Sequence, residues 1–118
     1  MQDFDLSEKR KYRRVHASIP VIYSVMATAD NNYIERPVKK CETSDISLGG
    51  IQMVTDEEVE SIDRLLRVEF KIKGINVRII ANIIWSKFDD SLKKYRSGVE
   101  FMMIRDDDMH ILREFVGS

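Results

Sequence analysis

Between residues 65 and 73 apolar and polar positions alternate without a break, with Leu66, Val68, Phe70 and Ile72 on one side and Arg67, Glu69, Lys71 and Lys73 on the other. A period of two is the repeat of a half-buried β-strand. Gly74-Ile75-Asn76 supplies a turn, and the partner NVRIIANIIWS sets Val77, Ile79, Ala81, Ile83 and Trp85 on one face. Ile80 and Ile84 make its other face partly apolar too, as if something lies over it. Upstream, SIPVIYSVMA is rich in β-branched and aromatic residues, with Pro20 marking a strand start or an edge. Asp30, Asn31 and Asn32 form a turn cluster, IERPVKKCETSDI reads as a second, twisted strand, and GIQMVT follows the pair Gly49-Gly50 as a third. GVEFMMI is the sixth. The acidic stretch DEEVESIDR and the charged stretch FDDSLKKYRS read as connections. The period then changes, because Met109, Leu112, Phe115 and Val116 share one helical face behind Asp106, Asp107 and Asp108 and before Gly117.

Six short strands and one terminal helix predict a small antiparallel barrel or sandwich. A chain of 118 residues, 43% hydrophobic and 33% charged, can bury one core and fold alone. Its single cysteine, Cys41, excludes an internal disulfide and a multi-cysteine metal site, which suits a reducing compartment. No apolar run approaches the roughly 18 residues of a membrane span. The start MQDFDLSEK is too acidic and polar for a signal peptide. The expectation is a cytoplasmic protein with no membrane span.

Charge changes the picture at one place. Lys9, Arg10, Lys11, Arg13 and Arg14 put five cations into six consecutive positions of a chain whose net charge is -1. A cluster this dense repels itself, so it lies solvated or meets an anion. Residues 1–16 therefore read as a flexible basic arm, and residues 17–118 as the folded barrel with its helix. A nonspecific phosphate binder would carry further Lys and Arg on one face with aromatics between them, whereas aromatics here total 8% and mostly alternate into the core. No DNA or RNA partner is expected.

Arg10 and Arg14 are four apart on the arm, and Asp45-Ile46-Ser47-Leu48-Gly49-Gly50 follows at the junction of the second and third strands. In this order the two resemble the two-part signature of the PilZ domain family, R-x-x-x-R followed by [D/N]-x-S-x-x-G. The five defining positions, Arg10, Arg14, Asp45, Ser47 and Gly50, match without substitution. Many relatives have arginine directly before the first motif arginine; this chain has Lys9. GIQM, Trp85 and GVEF also stand where the family has similar residues. The resemblance implies a six-stranded antiparallel β-barrel of the PilZ type with a short helix at its end. It also implies binding of cyclic di-GMP, a bacterial second messenger, without chemistry on it.

The residues suit that ligand. Each guanine offers the O6 and N7 acceptor pair that an arginine fork matches, and a guanidinium can also stack on the purine face. Lys9 adds charge. Asp45 can accept from guanine N1–H and N2–H, and Ser47 can add one hydrogen bond, the two projecting from one face of a strand. Gly49 and Gly50 would let the backbone approach the ligand and take dihedrals closed to other residues. Lys9 beside the first motif arginine favours an intercalated ligand pair, so two molecules per chain are expected. The chain has no room for an effector domain, so arm ordering would signal to an unidentified partner protein, with the chain a monomer or weak dimer. The alternative is a PilZ-like protein interaction module with weak or no nucleotide binding.

His16, just after the arm, reads as a surface histidine that could line the site, and His110 as an exposed helix residue. With two histidines and one cysteine so dispersed, no metal set and no nucleophile with its base is in sight, so neither enzyme activity nor a cofactor is expected. Met102, Met103 and Met109 read as core filler.

Overall fold

The alternation at residues 65–72 has its expected result in the structure, a computed structural model that describes residues 13–29, 32–35, 38–59 and 65–117. Leu66, Val68, Phe70 and Ile72 are all buried, and each contributes about 1.5–3 kcal/mol by leaving water. A slip of one residue would turn all four outward, so this register is strongly specified.

Eight strands and one helix form among the described residues: β1 Val15–His16, β2 Pro20–Ala29, β3 Asn32–Glu35, β4 Lys39–Ile46, β5 Gly50–Thr55, β6 Leu65–Ile72, β7 Ile75–Asp89, β8 Lys94–Ile104 and α1 Asp106–Val116. All pairings are antiparallel, in the order β1-β4-β5-β8-β7-β6-β2-β3. A further pairing of β2 with β4, from Pro20 opposite Glu42 to Tyr23 opposite Lys39, closes six of them into a barrel. The closed circuit is β4-β5-β8-β7-β6-β2, with the short β1 and β3 added outside it. Full closure leaves no open sheet edge within that circuit. The six-stranded barrel with a terminal helix is therefore observed as expected.

The helix closes one side. Leu112 and Val116 are buried and Met109 and Phe115 half-buried, so α1 sets its apolar stripe on β6 and β7. Three aspartates occupy its first turn, where the helix dipole favours them, and Asp108 also accepts the backbone N–H of Arg78 at 3.3 Å. It stops at Gly117, whose φ of 73° is left-handed and whose N–H bonds to the Arg113 carbonyl at 3.0 Å.

Several local readings need correction. FDDSLKKYRS is mostly strand: β7 continues to Asp89 and β8 resumes at Lys94, leaving a four-residue turn with Lys93 at φ 58°. Asp90, Lys93 and Lys94 are exposed, Asp89 and Arg96 are half-buried against each other, and Phe88 and Tyr95 meet edge to face across the hairpin at 5.1 Å. The segment read as one strand over residues 34–46 contains parts of both β3 and β4, and residues 36 and 37 lie outside the described residues. The connection DEEVESIDR lies outside them from residue 60 onward.

The remaining corrections come from three bulges. One extra residue in one strand of a pair shifts everything beyond it to the other face. On β7 the register passes from Ile83 opposite Val99 to Trp85 opposite Gly98, so Ile84 is the extra residue and Trp85 leaves the core face. On β8 it passes from Phe101 to Met103, leaving Met102 extra. Met102 and Met103 are consequently exposed, not core filler, while Met109 is half-buried. The third bulge lies on β4 between Thr43 and Asp45, with Ser44 extra.

Candidate ligand site on the outer barrel face

The bulge at Ser44 decides where Asp45 points. Thr43 is buried and opposite Met53, a core residue; two positions on, a regular strand would send Asp45 inward as well. With Ser44 inserted, Asp45 lies opposite Gln52 on the outer face, and Ile46 takes the inward position with no exposed surface. Gln52 is in turn opposite Gly98, and Gly98 opposite Trp85. On the other side of β4, His16 is opposite Asp45. Five strands thus present one cross-strand row, His16-Asp45-Gln52-Gly98-Trp85. At the usual spacing of neighbouring strands it is roughly 19 Å long.

The far end of the row is flat and apolar. A Cβ on Gly98 would meet the Trp85 indole at 2.2 Å, so the ring lies directly on the glycine backbone, and Lys87 Nζ stands 5.8 Å from the ring centre. The middle is held by polar contacts. Gln52 Oε1 accepts from Arg96 at 2.8 Å and from the Ser44 hydroxyl at 3.3 Å, while Arg96 Nε donates to Asp89 at 2.7 Å. At the near end, His16 Nδ1 contacts Asp45 Oδ1.

Ser47 sits one residue past β4, in the turn that leads to β5. Its N–H bonds to the Gly50 carbonyl at 2.9 Å, its hydroxyl donates to the same carbonyl at 3.3 Å, and Ser47 Oγ accepts from Gly49 N–H at 3.1 Å. In this structure the hydroxyl orders the turn. The dihedral reading of the two glycines also changes, because the described glycines at positive φ are Gly74 and Gly117. Gly50 is required for a different reason: a Cβ there would lie 2.2 Å from the Val99 carbonyl oxygen, a backbone atom that cannot swing aside. Gly49 accepts, through its carbonyl, the Phe101 N–H at 2.9 Å.

Of the arm cations, Arg14 is exposed, two residues before His16. Arg13 goes elsewhere, donating to the Gly117 carbonyl at 3.4 Å, where a cation complements the end of α1. Lys9 and Arg10 lie outside the described residues. Thus Asp45, Ser47, Gly49 and Gly50 are adjacent at the start of β5, and Arg14 enters the same neighbourhood through β1. Sequence reasoning put Trp85 on the same face as Val77, Ile79, Ala81 and Ile83, and it missed Gln52 and the His16 contact. Period-two counting cannot detect a bulge.

Cys41 is half-buried, and burial, then the Glu42 carboxylate, push its thiol up to about 12, which leaves it protonated and weakly nucleophilic. Among the described residues no group of His, Cys, Asp and Glu could hold a metal ion, and no helix is long and apolar enough to cross a membrane.

A family model described as the PilZ domain matches residues 8–118. The chain belongs to the PilZ domain family. Among curated proteins none matches it. Solved structures of PilZ proteins share the fold. The Bacillus subtilis inhibitor of motility (MotI/DgrA) superposes with a TM-score of 0.69 at 20% identity, covering 91% of this chain and 49% of its own length. The K. pneumonia MrkH–c-di-GMP complex gives 0.61 at 16%, covering 91% and 49%. YcgR from Escherichia coli, solved in complex with c-di-GMP, gives 0.58 at 16%, covering 92% and 45%. This PilZ chain spans about half the length of each.

Proposed function

We propose that this PilZ domain is a receptor for cyclic di-GMP that binds and does not transform its ligand. The observation that carries the reading is the outward turn of Asp45 by the Ser44 bulge, beside the Ser47–Gly50 turn and next to the strand that brings in Arg14. MrkH and YcgR, which share the fold, are described as complexes with c-di-GMP, and that supports the choice of ligand.

In this reading Arg10 and Arg14 bind guanine edges and phosphates as forks, and Lys9 adds a cation that favours a second, intercalated ligand. Asp45 accepts from a guanine N1–H and N2–H. Ser47 acts by ordering the turn, and Gly49 and Gly50 by leaving room on it. Residues 1–14 serve as an arm on the barrel, and Val15 and His16 tie its base to β4. Ligand phosphates offset the repulsion among the arm cations and draw the arm toward the row, and the combined surface of arm, ligand and barrel is what a partner protein reads.

Calorimetric titration with cyclic di-GMP, with GTP and a short oligonucleotide as controls, tests the reading. Selective binding of the dinucleotide, weakened roughly tenfold to a hundredfold by Arg10→Ala or Arg14→Ala with little change in thermal stability, is the expected result. Equal binding of all three ligands would refute it. Two ligands per chain are expected, falling toward one in Lys9→Leu. Limited trypsin digestion tests the arm: saturating ligand should slow cutting at residues 9–14 far more than at Lys93 and Lys94 in the β7–β8 turn.

A further inference from the structure

We propose that His16 is a ligand-site residue outside both motifs, whose imidazole is held by Asp45 through Nδ1 and whose protonated form offers Nε2–H to a phosphate of cyclic di-GMP. This rests on the ligand reading above.

The position of His16 is built. Residues 15–19 are stitched along β4 by Ala17 N–H to the Ser44 carbonyl at 3.2 Å, Thr43 N–H to the Ile19 carbonyl at 3.0 Å and Ile19 N–H to the Thr43 hydroxyl at 3.0 Å. Ser18 adds a hydrogen bond to Glu42 at 2.9 Å. These bonds fix the backbone that carries His16 opposite Asp45, and the ring is 89% exposed against 17% for Asp45. It stands above the carboxylate, at the end of the row nearest the arm.

The chemistry follows from the contact. With Nδ1 toward a carboxylate, Nδ1 carries the proton and Nε2 is the atom left for another partner. A neutral ring presents a lone pair at Nε2, which a phosphate oxygen cannot use. A protonated ring presents N–H and a positive charge, which it can. Asp45 keeps its own role, because a carboxylate has about four lone-pair sites and His16 uses one oxygen, Oδ1. Guanine and imidazole do not compete for it.

The charged group in contact with the ring is Asp45; Arg14 lies two residues back in the chain, Glu42 on β4 bonds to Ser18, and Arg96 on β8 lies beyond Gln52 and is engaged by Asp89. Added phosphate charge beside them favours the protonated ring, so by linkage the ligand must bind more tightly as pH falls. Between about pH 5 and pH 8 the phosphodiesters stay ionised, and histidine is the side chain whose charge changes. The other histidine, His110, pairs with Glu114 at 3.4 Å on α1.

The test is calorimetric titration of the full chain with cyclic di-GMP across that pH range. Affinity should rise roughly three- to fivefold toward the acidic end, as expected for one exposed ion pair. His16→Gln should flatten the profile, His110→Gln should leave it as in the unmodified protein, and His16→Lys should give a flat profile at the tighter affinity. A slope that persists in His16→Gln, or a flat profile in the unmodified protein, overturns the role of His16 while leaving the receptor reading intact. No binding at any pH overturns both.

Discussion

Two aspartates near strand ends, Asp45 on β4 and Asp89 on β7, are wired in opposite ways. Asp89, at the end of β7, accepts from Ser91 N–H at 2.9 Å, the Ser91 hydroxyl at 2.7 Å, Leu92 N–H at 3.1 Å and Arg96 Nε at 2.7 Å. Asp45 contacts His16 through a single oxygen. A carboxylate with three donors on one oxygen and Arg96 on the other has both oxygens engaged and serves the turn that it closes. One with a single donor keeps a whole oxygen for something else. The comparison separates a structural carboxylate from one poised for a ligand, although in the sequence both are simply aspartates.

The largest effect should come from exchanging charge for an amide at the two sites. Asp45→Asn replaces an acceptor with a group that also carries donors, opposite the N–H groups of guanine. Calorimetry should then show affinity for cyclic di-GMP reduced tenfold to a hundredfold, with thermal stability little changed. Asp89→Asn should do the reverse, lowering the melting temperature while keeping affinity near that of the unmodified protein. If both variants lose binding equally, the distinction between the two carboxylates is wrong.

A second, smaller effect is a pH dependence confined to Asp89. The Ser91 hydroxyl, the Arg96 guanidinium and the Leu92 amide, in that order, hold its carboxyl well below the usual carboxylate range. A carboxyl whose native value is lowered stabilises the fold above its unfolded value, about 3.9, and loses that contribution as pH falls through the native value. The melting temperatures of the unmodified protein and Asp89→Asn should therefore differ most at neutral pH and converge below about pH 4. A gap that stays constant down to the acid limit would assign the stabilisation to packing.

How much of this was legible depends on how far each feature obeys a period. The register of β6 against the first half of β7 followed from Leu66, Val68, Phe70 and Ile72, because burying one face leaves a single pairing that keeps them inside. The helix followed from Met109, Leu112 and Val116 before a glycine. The motif residues were legible as types and spacing, but their roles were not. Ser44, Ile84 and Met102 look like ordinary strand residues, yet as bulges they turn Asp45 and Trp85 outward and expose Met103. Gly50 looked like a dihedral requirement and is a clearance requirement, set by Val99, nearly fifty positions away in the chain. The His16 contact depends on β1 pairing with β4, a long-range register that no local pattern encodes. Local alternation specified the barrel; long-range pairing specified which residues its outer face presents.

The smallest effect compares the serines that serve the two junctions. Ser91 contributes both its N–H and its hydroxyl to Asp89, so Ser91→Ala removes one of four donors and leaves the N–H, Leu92 and Arg96 in place. Ser47 has a more central place, since its hydroxyl accepts from Gly49 N–H while donating to the Gly50 carbonyl. Loss of that acceptor leaves a half-buried amide without this partner in the turn beside Asp45. Ser91→Ala should then lower the melting temperature by only about 2 °C and leave ligand affinity unchanged, as expected of an exposed substitution. Ser47→Ala should weaken ligand binding severalfold, on the order of the 1 kcal/mol carried by one ordering hydrogen bond. Thermal melts and titrations on the two variants decide it. Equal, small losses of affinity in both would mean that the turn holds its shape through its backbone bonds alone, and that the hydroxyl of Ser47 is dispensable to the site.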